Sequence, residues 1–392
     1  RDDIRILATV RPVIEMATKV VTGPEGALRN MKIELDYRDT QCSSTYGALG
    51  AFDIFLKRKP DVFFGPICDY VIAPIARYTS VWGIPFLTTG GLTDAFSNKS
   101  PNYLTLTRMM GSYSDTGLAV GEIRRHFNWT VQAFIYHDND EKQGKGHSDC
   151  SRAQATIFRT LNTTDYFSHS FDESETDYKG YLRILARTKR KARIVIMCAS
   201  PSTIREIMLA AAELNMVDSG EYVFFNIDIF SSMAATKMPS WYVKNDTDER
   251  NQRAKNAYTA MLQVVARQPE DEEYRREEVK LLTKTKFNYT YADNEPVSTF
   301  VTAFYDAVLL YAYALNDSIS RLGEQQALRQ PINGTYLTHL MWGKSFKGIT
   351  GNVTIDSNGD RISDYSLLDL NPTTGMFEIV ANYFHDGGLQ FV

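Results

Sequence analysis

"FFGPICDYVIAPIARYTSVWGIPFLTTGG", residues 63–91, joins an apolar run, a Gly-Pro turn, a helical stripe and a second apolar run. Two short apolar strands separated by one amphipathic helix read as a β-α-β unit, whose strands lie parallel with helices over the sheet. The same alternation extends outward. Strands are expected at 3–9 and 31–39, with helices at 10–21, 45–59 and 70–82. It then restarts, with strands at 130–137, 164–172, 192–200 and 222–230 and helices such as "PSTIREIMLAAAELN", 201–215. Two consecutive β-α series predict two α/β lobes, which suits a chain of 392 residues, too long for one ordinary core.

The last third changes character. Helical stripes run through 252–262, 271–284 and 297–322, and a β-rich tail follows at 348–384. In that tail "SNGD" and "NPTTG" supply turn residues between antiparallel strands. One junction is awkward. A strand ending at Thr9 leaves no loop before a helix starting at Val10, whereas βα connections take about 2–6 residues. A segment missing from this sequence between those two residues would explain it.

Composition excludes several classes. A net charge of −4 gives no electrostatic footprint for nucleic acid, and the one basic run, "RTKRKAR" at 187–193, reads as a solvated helix end. The longest apolar stretch, "AVLLYAYAL" at 307–315, has nine residues against the roughly 20 a membrane span needs. The chain opens on the charged "RDDIRILAT", which reads as a mature or excised fragment. No nucleophile elbow, zincin motif, Cys-x-x-Cys pair or Walker loop occurs, so neither a catalytic nor a metal site is expected. "QGKGHSD", at 143–149, reads as a surface loop. "DSNGDRISD", at 356–364, reads as an Asn-Gly turn because Leu367 stands where a calcium loop needs Glu. The mixed-charge run at 271–280 reads as a solvated helix face.

The compartment is read from asparagines. N-x-S/T sequons occur at Asn98, Asn128, Asn162, Asn245, Asn288, Asn316, Asn333 and Asn352, eight of nineteen asparagines, an excess that points to a glycosylated, secreted chain. Four cysteines in an oxidising compartment are expected to pair. Cys42 and Cys68 both follow strands of the first series, while Cys150 and Cys198 belong to the second. Of the three ways to pair them, one disulfide per lobe, Cys42–Cys68 and Cys150–Cys198, is the simplest. Cys68 is then a half-cystine rather than a nucleophile.

The opening stretch, "RIVIMCASPSTIREIMLAA", "YVFFNIDIF", "FYDAVLLYAYAL" and "MWGKSFKGITGNVTIDSNGDRISDYSLLDL" together resemble the hormone-binding ectodomain of natriuretic peptide receptors and other receptor guanylyl cyclases, over nearly the whole chain. The resemblance implies an α/β fold of the type I periplasmic-binding-protein kind, a bilobed clamshell with two doubly wound, mainly parallel sheets. It places 1–108 with 263–346 in a membrane-distal lobe and 109–262 with 347–392 in a membrane-proximal lobe. It implies no cofactor beyond a structural chloride, held by the Thr40 hydroxyl and the amides of Ile67 and Cys68, where a helix start offers unpaired N–H groups. It also implies peptide contacts at Tyr70, Arg77 and Phe171 and dimer packing by Tyr78 and Trp82.

Other positions depart from the vertebrate receptors. Ser151 and Arg152 replace two phenylalanines and Ala155 replaces an acidic residue, so a different, invertebrate-type hormone is expected. The function implied is that of an extracellular peptide-hormone-binding domain of a single-pass receptor guanylyl cyclase, working as a homodimer to raise cGMP and itself without catalysis. The alternatives are a clearance-type receptor without a cyclase, or a clamshell binding a small molecule. For the latter, "ASPST" at 199–203 is the only Ser/Thr-rich stretch of the right kind, and a helix cap accounts for it.

Overall fold

The computed structural model describes residues 3–139, 147–162, 166–228, 239–267, 273–291, 297–323 and 333–392. The chain divides into two compact units, 1–112 with 268–362 and 113–267 with 363–392. The predicted "QGKG" loop at 143–146 and the ends of three predicted elements, at 164–165, 229–230 and 271–272, lie outside the described residues.

The first unit begins with α1 (Asp3–Thr22), α2 (Ser44–Lys57), β1 (Phe63–Phe64), α3 (Asp69–Trp82), β2 (Phe86–Thr88) and β3 (Leu106–Arg108). The strands form a parallel sheet in the order β1-β2-β3, with Phe63 opposite Phe86 and Phe86 opposite Leu106. α3 closes at Gly83, which takes the left-handed conformation (φ 65°) that glycine adopts without strain. Two expected strands are absent. Residues 3–9 continue α1, because with no loop residue between Thr9 and Val10 they can only extend the helical path of the stripe that follows. That stripe, Val10, Val13, Ile14, Ala17 and Val21, is buried at helical spacing. Residues 31–39 run without ladder partners: Lys32, Glu34 and Asp36 are exposed, Ile33, Leu35 and Tyr37 are half-buried, and no described strand pairs with them.

The second unit contains α4 (Tyr113–His126), β4 (Gln132–His137), α5 (Asp149–Leu161), β5 (Tyr166–Phe171), α6 (Tyr178–Thr188), β6 (Ile194–Cys198), α7 (Pro201–Glu213), β7 (Val223–Ile227), α8 (Asp248–Tyr258) and β8 (Met261–Ala266). The segment 252–262 is therefore not one helix. Its end, Met261 and Leu262, opens β8, a strand whose Val264 is fully buried and pairs with Ile227 on one side. Sheet pairing of a short apolar run overrides its local helical appearance.

The chain then returns to the first unit for α9 (Glu273–Phe287), α10 (Thr299–Leu322), α11 (Gly334–Met341), β9 (Ser345–Gly348), β10 (Gly351–Ile355) and β11 (Arg361–Ile362). It ends in the second unit with β12 (Tyr365–Leu370), β13 (Phe377–Phe384) and β14 (Gly388–Phe391). These last three add antiparallel strands to a parallel core, giving one eight-stranded sheet in the order β14-β13-β12-β8-β7-β6-β4-β5. Phe134, Ile196, Phe225 and Leu262 lie side by side across β4, β6, β7 and β8.

The division between units differs from the expected one mainly at the last crossing, which falls at 362/363 rather than 346/347. The physical reason is a hairpin. β9, β10 and β11 pair with one another, and the carboxylate of Asp306 on α10 accepts the amides of Ile349 (2.7 Å) and Thr350 (3.2 Å), which ties β9 and β10 to the first unit. Asp306 is fully buried, and burial pushes its carboxyl above the ordinary range.

Candidate ligand-binding region

Two disulfides join Cys42 to Cys68 in the first unit and Cys150 to Cys198 in the second, with Cα atoms 5.7 and 5.4 Å apart. Near the first, Thr40 stands two residues before Cys42, on a turn closed by the Ser43 amide donating to the Thr40 carbonyl (2.9 Å). Gln41 and Cys42 both take positive φ, 50° and 49°. Opposite, Cys68 is the N-cap of α3 and caps it with no side-chain hydrogen bond. Among the described residues, the amides of Ile67 and Cys68 meet no protein acceptor. The loop carrying them is held from behind. The Thr88 hydroxyl donates to the Pro66 carbonyl and accepts from the Gly90 amide (2.9 Å), and a side chain at Gly90 would overlap the Ile67 carbonyl. The disulfide thus brings a hydroxyl-bearing turn to the start of a helix with two open N–H groups, a geometry suited to an anion. Asp69, in the first turn, turns one carboxylate oxygen to the Gly91 amide (3.0 Å).

α2 and α3 pack closely, since a side chain at Gly47 would overlap Val71. Their outer faces carry an aromatic group. Trp82 stacks on Phe55 (4.1 Å, 10° between planes) and meets Phe52 edge-on (5.4 Å), and Tyr78 lies 4.9 Å from Phe52. Tyr78 and Trp82 are half-buried, neither core nor free surface. Around them Leu49, Leu56 and Val81 are exposed, Val81 to 86%. Sequence reasoning named the two aromatics of α3 and missed the α2 residues. The signal was present as exposed apolar positions 46, 49, 52 and 56 on a helix whose buried positions are 47 and 51.

The expected peptide contacts divide. Tyr70 and Arg77 are exposed and, seven residues apart, share one face of α3, where the Arg77 guanidinium lies over the Tyr103 ring (5.6 Å). Phe171 is a correction. It is 7% exposed, packs edge-on against Tyr181 (5.4 Å), and belongs to the core beneath β5, so it offers no surface to a ligand. Beside the second disulfide, Arg152 pairs with Asp149 (2.5 Å) and donates to the His147 carbonyl, and Ala155 is exposed. This patch, with Ser151 beside Arg152, is polar. All eight sequon asparagines are exposed.

Among the described residues, no three His, Cys, Asp or Glu side chains gather as metal ligands, and no helix is long and apolar enough to cross a membrane. The charged residues that are buried serve structure. Arg108, 1% exposed, donates to both Asp360 oxygens (2.6 and 2.7 Å), to the carbonyls of Gly91 and Thr93, and to Ser97 Oγ. Lys99 adds a second cation to the same carboxylate (2.5 Å). This cluster links β3 to the turn before β11, and sequence reasoning missed it because its members are about 250 residues apart.

The receptor-family ligand-binding region matches residues 9–373. The chain is 36% identical to the receptor-type guanylate cyclase gcy-28 of Caenorhabditis elegans, over 88% of this chain and 30% of that protein. It is 32% identical to human atrial natriuretic peptide receptor 3, over 97% of this chain and 69% of the receptor. With bovine atrial natriuretic peptide receptor 2 it shares 30% identity, over 91% of this chain and 33% of the receptor. It therefore spans about a third of the two longer relatives and about two thirds of the shorter one. The α/β architecture, the two disulfides and these likenesses agree: the chain belongs to the receptor-family ligand-binding regions, with those of the natriuretic peptide receptors and receptor-type guanylate cyclases.

Proposed function

We propose that this ligand-binding receptor domain is extracellular, binds a secreted peptide between two copies of itself, and controls a guanylate cyclase in the remainder of a membrane-anchored chain. The observation that carries the dimer is the α2–α3 face. Exposed apolar side chains flank a half-buried aromatic group there, and a contiguous patch of this kind marks an association surface on a soluble domain. The extracellular location is supported by two disulfides and eight exposed sequons. The cyclase is supported by the likeness to gcy-28, and a clearance-type receptor without one by the likeness to receptor 3. The ligand is a peptide other than a vertebrate natriuretic hormone, because Ser151 and the Arg152–Asp149 pair replace an apolar contact surface with a charged one. A structural chloride sits on Thr40, Ile67 and Cys68 and stiffens the loop that leads into Tyr70.

A chimera tests the reading. This region, joined to the transmembrane and cyclase portions of a natriuretic peptide receptor, should raise cGMP in response to a secreted-peptide fraction and lose the response when that fraction is digested with protease. A response to protease-resistant small molecules alone would overturn the peptide assignment.

A further inference from the structure

One exposed aromatic cluster is not absorbed by that reading. At the C-terminal end of α4, Phe127 stacks on Trp129 (4.8 Å, 17°), His126 lies 4.6 Å from Phe391 and 5.0 Å from Phe127, and Phe127 and Phe391 are 40% and 48% exposed. Trp129 is anchored from below by the buried Phe225 (6.3 Å, edge-on). Between the two stacked residues stands Asn128, the acceptor of the sequon "FNWT". Its backbone is fixed. Asn128 has φ 54° and is the left-handed residue of a helix-ending turn, its amide bonded to the Arg125 carbonyl (3.1 Å) and that of Trp129 to Arg124 (3.0 Å). The asparagine is exposed, so a sugar attached there leaves the chain beside the rings.

The pattern occurs twice. "FNYT", at 287–290, begins on the last residue of α9, with Asn288 at φ 52° and exposed, and Tyr289 meeting Tyr291 edge-on (5.3 Å). The exposed Asn352 sequon, on β10, follows glycine and has no aromatic neighbour in sequence.

We propose that the aromatic cluster at the end of α4 is the seat of the chain's own glycan: the first N-acetylglucosamine on Asn128 packs the C–H face of its ring on Phe127 and Trp129. The sequon between the rings identifies the occupant. An attached saccharide covers apolar surface that would otherwise face water, and an aromatic face is the partner that C–H groups favour. The left-handed turn holds the asparagine in place beforehand, so little ordering is lost on contact. The Phe287–Asn288–Tyr289 turn repeats the sequence pattern and the left-handed asparagine.

The test uses the 392-residue chain secreted from eukaryotic cells. Glycopeptide mass spectrometry should find Asn128 occupied. Thr130→Ala, which removes the sugar but keeps the capping asparagine, should lower the melting temperature by about 2–4 °C. In a Phe127→Ala background, where only Trp129 is left to the sugar, the same change should cost clearly less, and Asn352→Gln should cost nothing in either. Trimming the folded wild type to single N-acetylglucosamines should retain the stability, and complete removal should lose it, which keeps the test open if a variant fails to be secreted. An unoccupied Asn128, or a Thr130→Ala effect that is absent or is the same with and without Phe127, overturns the proposal and leaves the rings to a protein or lipid partner.

Discussion

Replacing Asp360 should cost far more than replacing Lys99, although both belong to one buried cluster. Arg108 and Lys99 are 1% and 6% exposed, so Asp360→Ala leaves two cations without their carboxylate in a place water does not reach. Breaking a buried pair from one side costs about 3–5 kcal/mol. In a unit of about 200 residues that is a fall of about 6–20 °C in melting temperature. Lys99 is different. Burial, and then the nearby Arg108 charge, push its pKa from 10.5 down to about 8, so its charge is held at a cost near neutral pH. Lys99→Met should therefore be close to neutral or mildly stabilising, since Asp360 keeps its two Arg108 bonds and the Asn358 amide (2.9 Å). The pH dependence has a definite sign. The folded form releases the Lys99 proton near pH 8 while the unfolded chain keeps it to about 10.5, so wild type should gain on Lys99→Met by up to about 3 kcal/mol across that window. Burial works against the charge on Asp360, yet Arg108 and then Lys99 outweigh it and hold the carboxyl below its ordinary 3.8. Its stabilisation is present above the unfolded value and is lost as pH falls through the folded one. Urea melts of the three proteins at pH 7 and pH 10 measure these differences. A cost under 1 kcal/mol for Asp360→Ala, or equal costs for the two variants, would refute the reasoning.

Further expectations follow from other parts of the molecule. Cys150→Ser with Cys198→Ser opens a loop of 48 residues and should cost about 4 kcal/mol, slightly more than the 26-residue Cys42–Cys68 loop at about 3.5, as read from denaturant melts of the two double variants. Thr40→Val should abolish a chloride-specific rise in melting temperature, measured against gluconate at equal ionic strength; an unchanged chloride effect would place the ion elsewhere. Leu56→Asp, on the exposed face of α2, should weaken self-association at least about 30-fold, an effect of about 2 kcal/mol, without changing the melting temperature of the monomer.

The β-α alternation around residues 63–91 was legible because burial on both sheet faces leaves continuous apolar runs, and β1, α3 and β2 fall within it. The second unit was legible for the same reason, except at β8, where Met261–Ala266 continues a helical stripe without a breaking Gly or Pro and only pairing with β7 and β12 makes it a strand. Residues 31–39 show the converse, strand-like composition without a neighbouring strand to pair with. Of the site, the cysteine pairs followed from the order of strands and helices. Tyr70 and Arg77 came from the resemblance and fall on an exposed face of α3, while the burial of Phe171 depends on Tyr181, ten residues away on another element. The α2 half of the association face went unseen because an exposed apolar stripe and a buried one have the same sequence period.

Sedimentation velocity of this chain, with and without the peptide that activates the chimera, tests the central claim most directly. Peptide should convert monomer to dimer at one peptide per two chains, and Leu56→Asp should block the conversion. A peptide-saturated monomer, with one peptide bound per chain, would contradict the account.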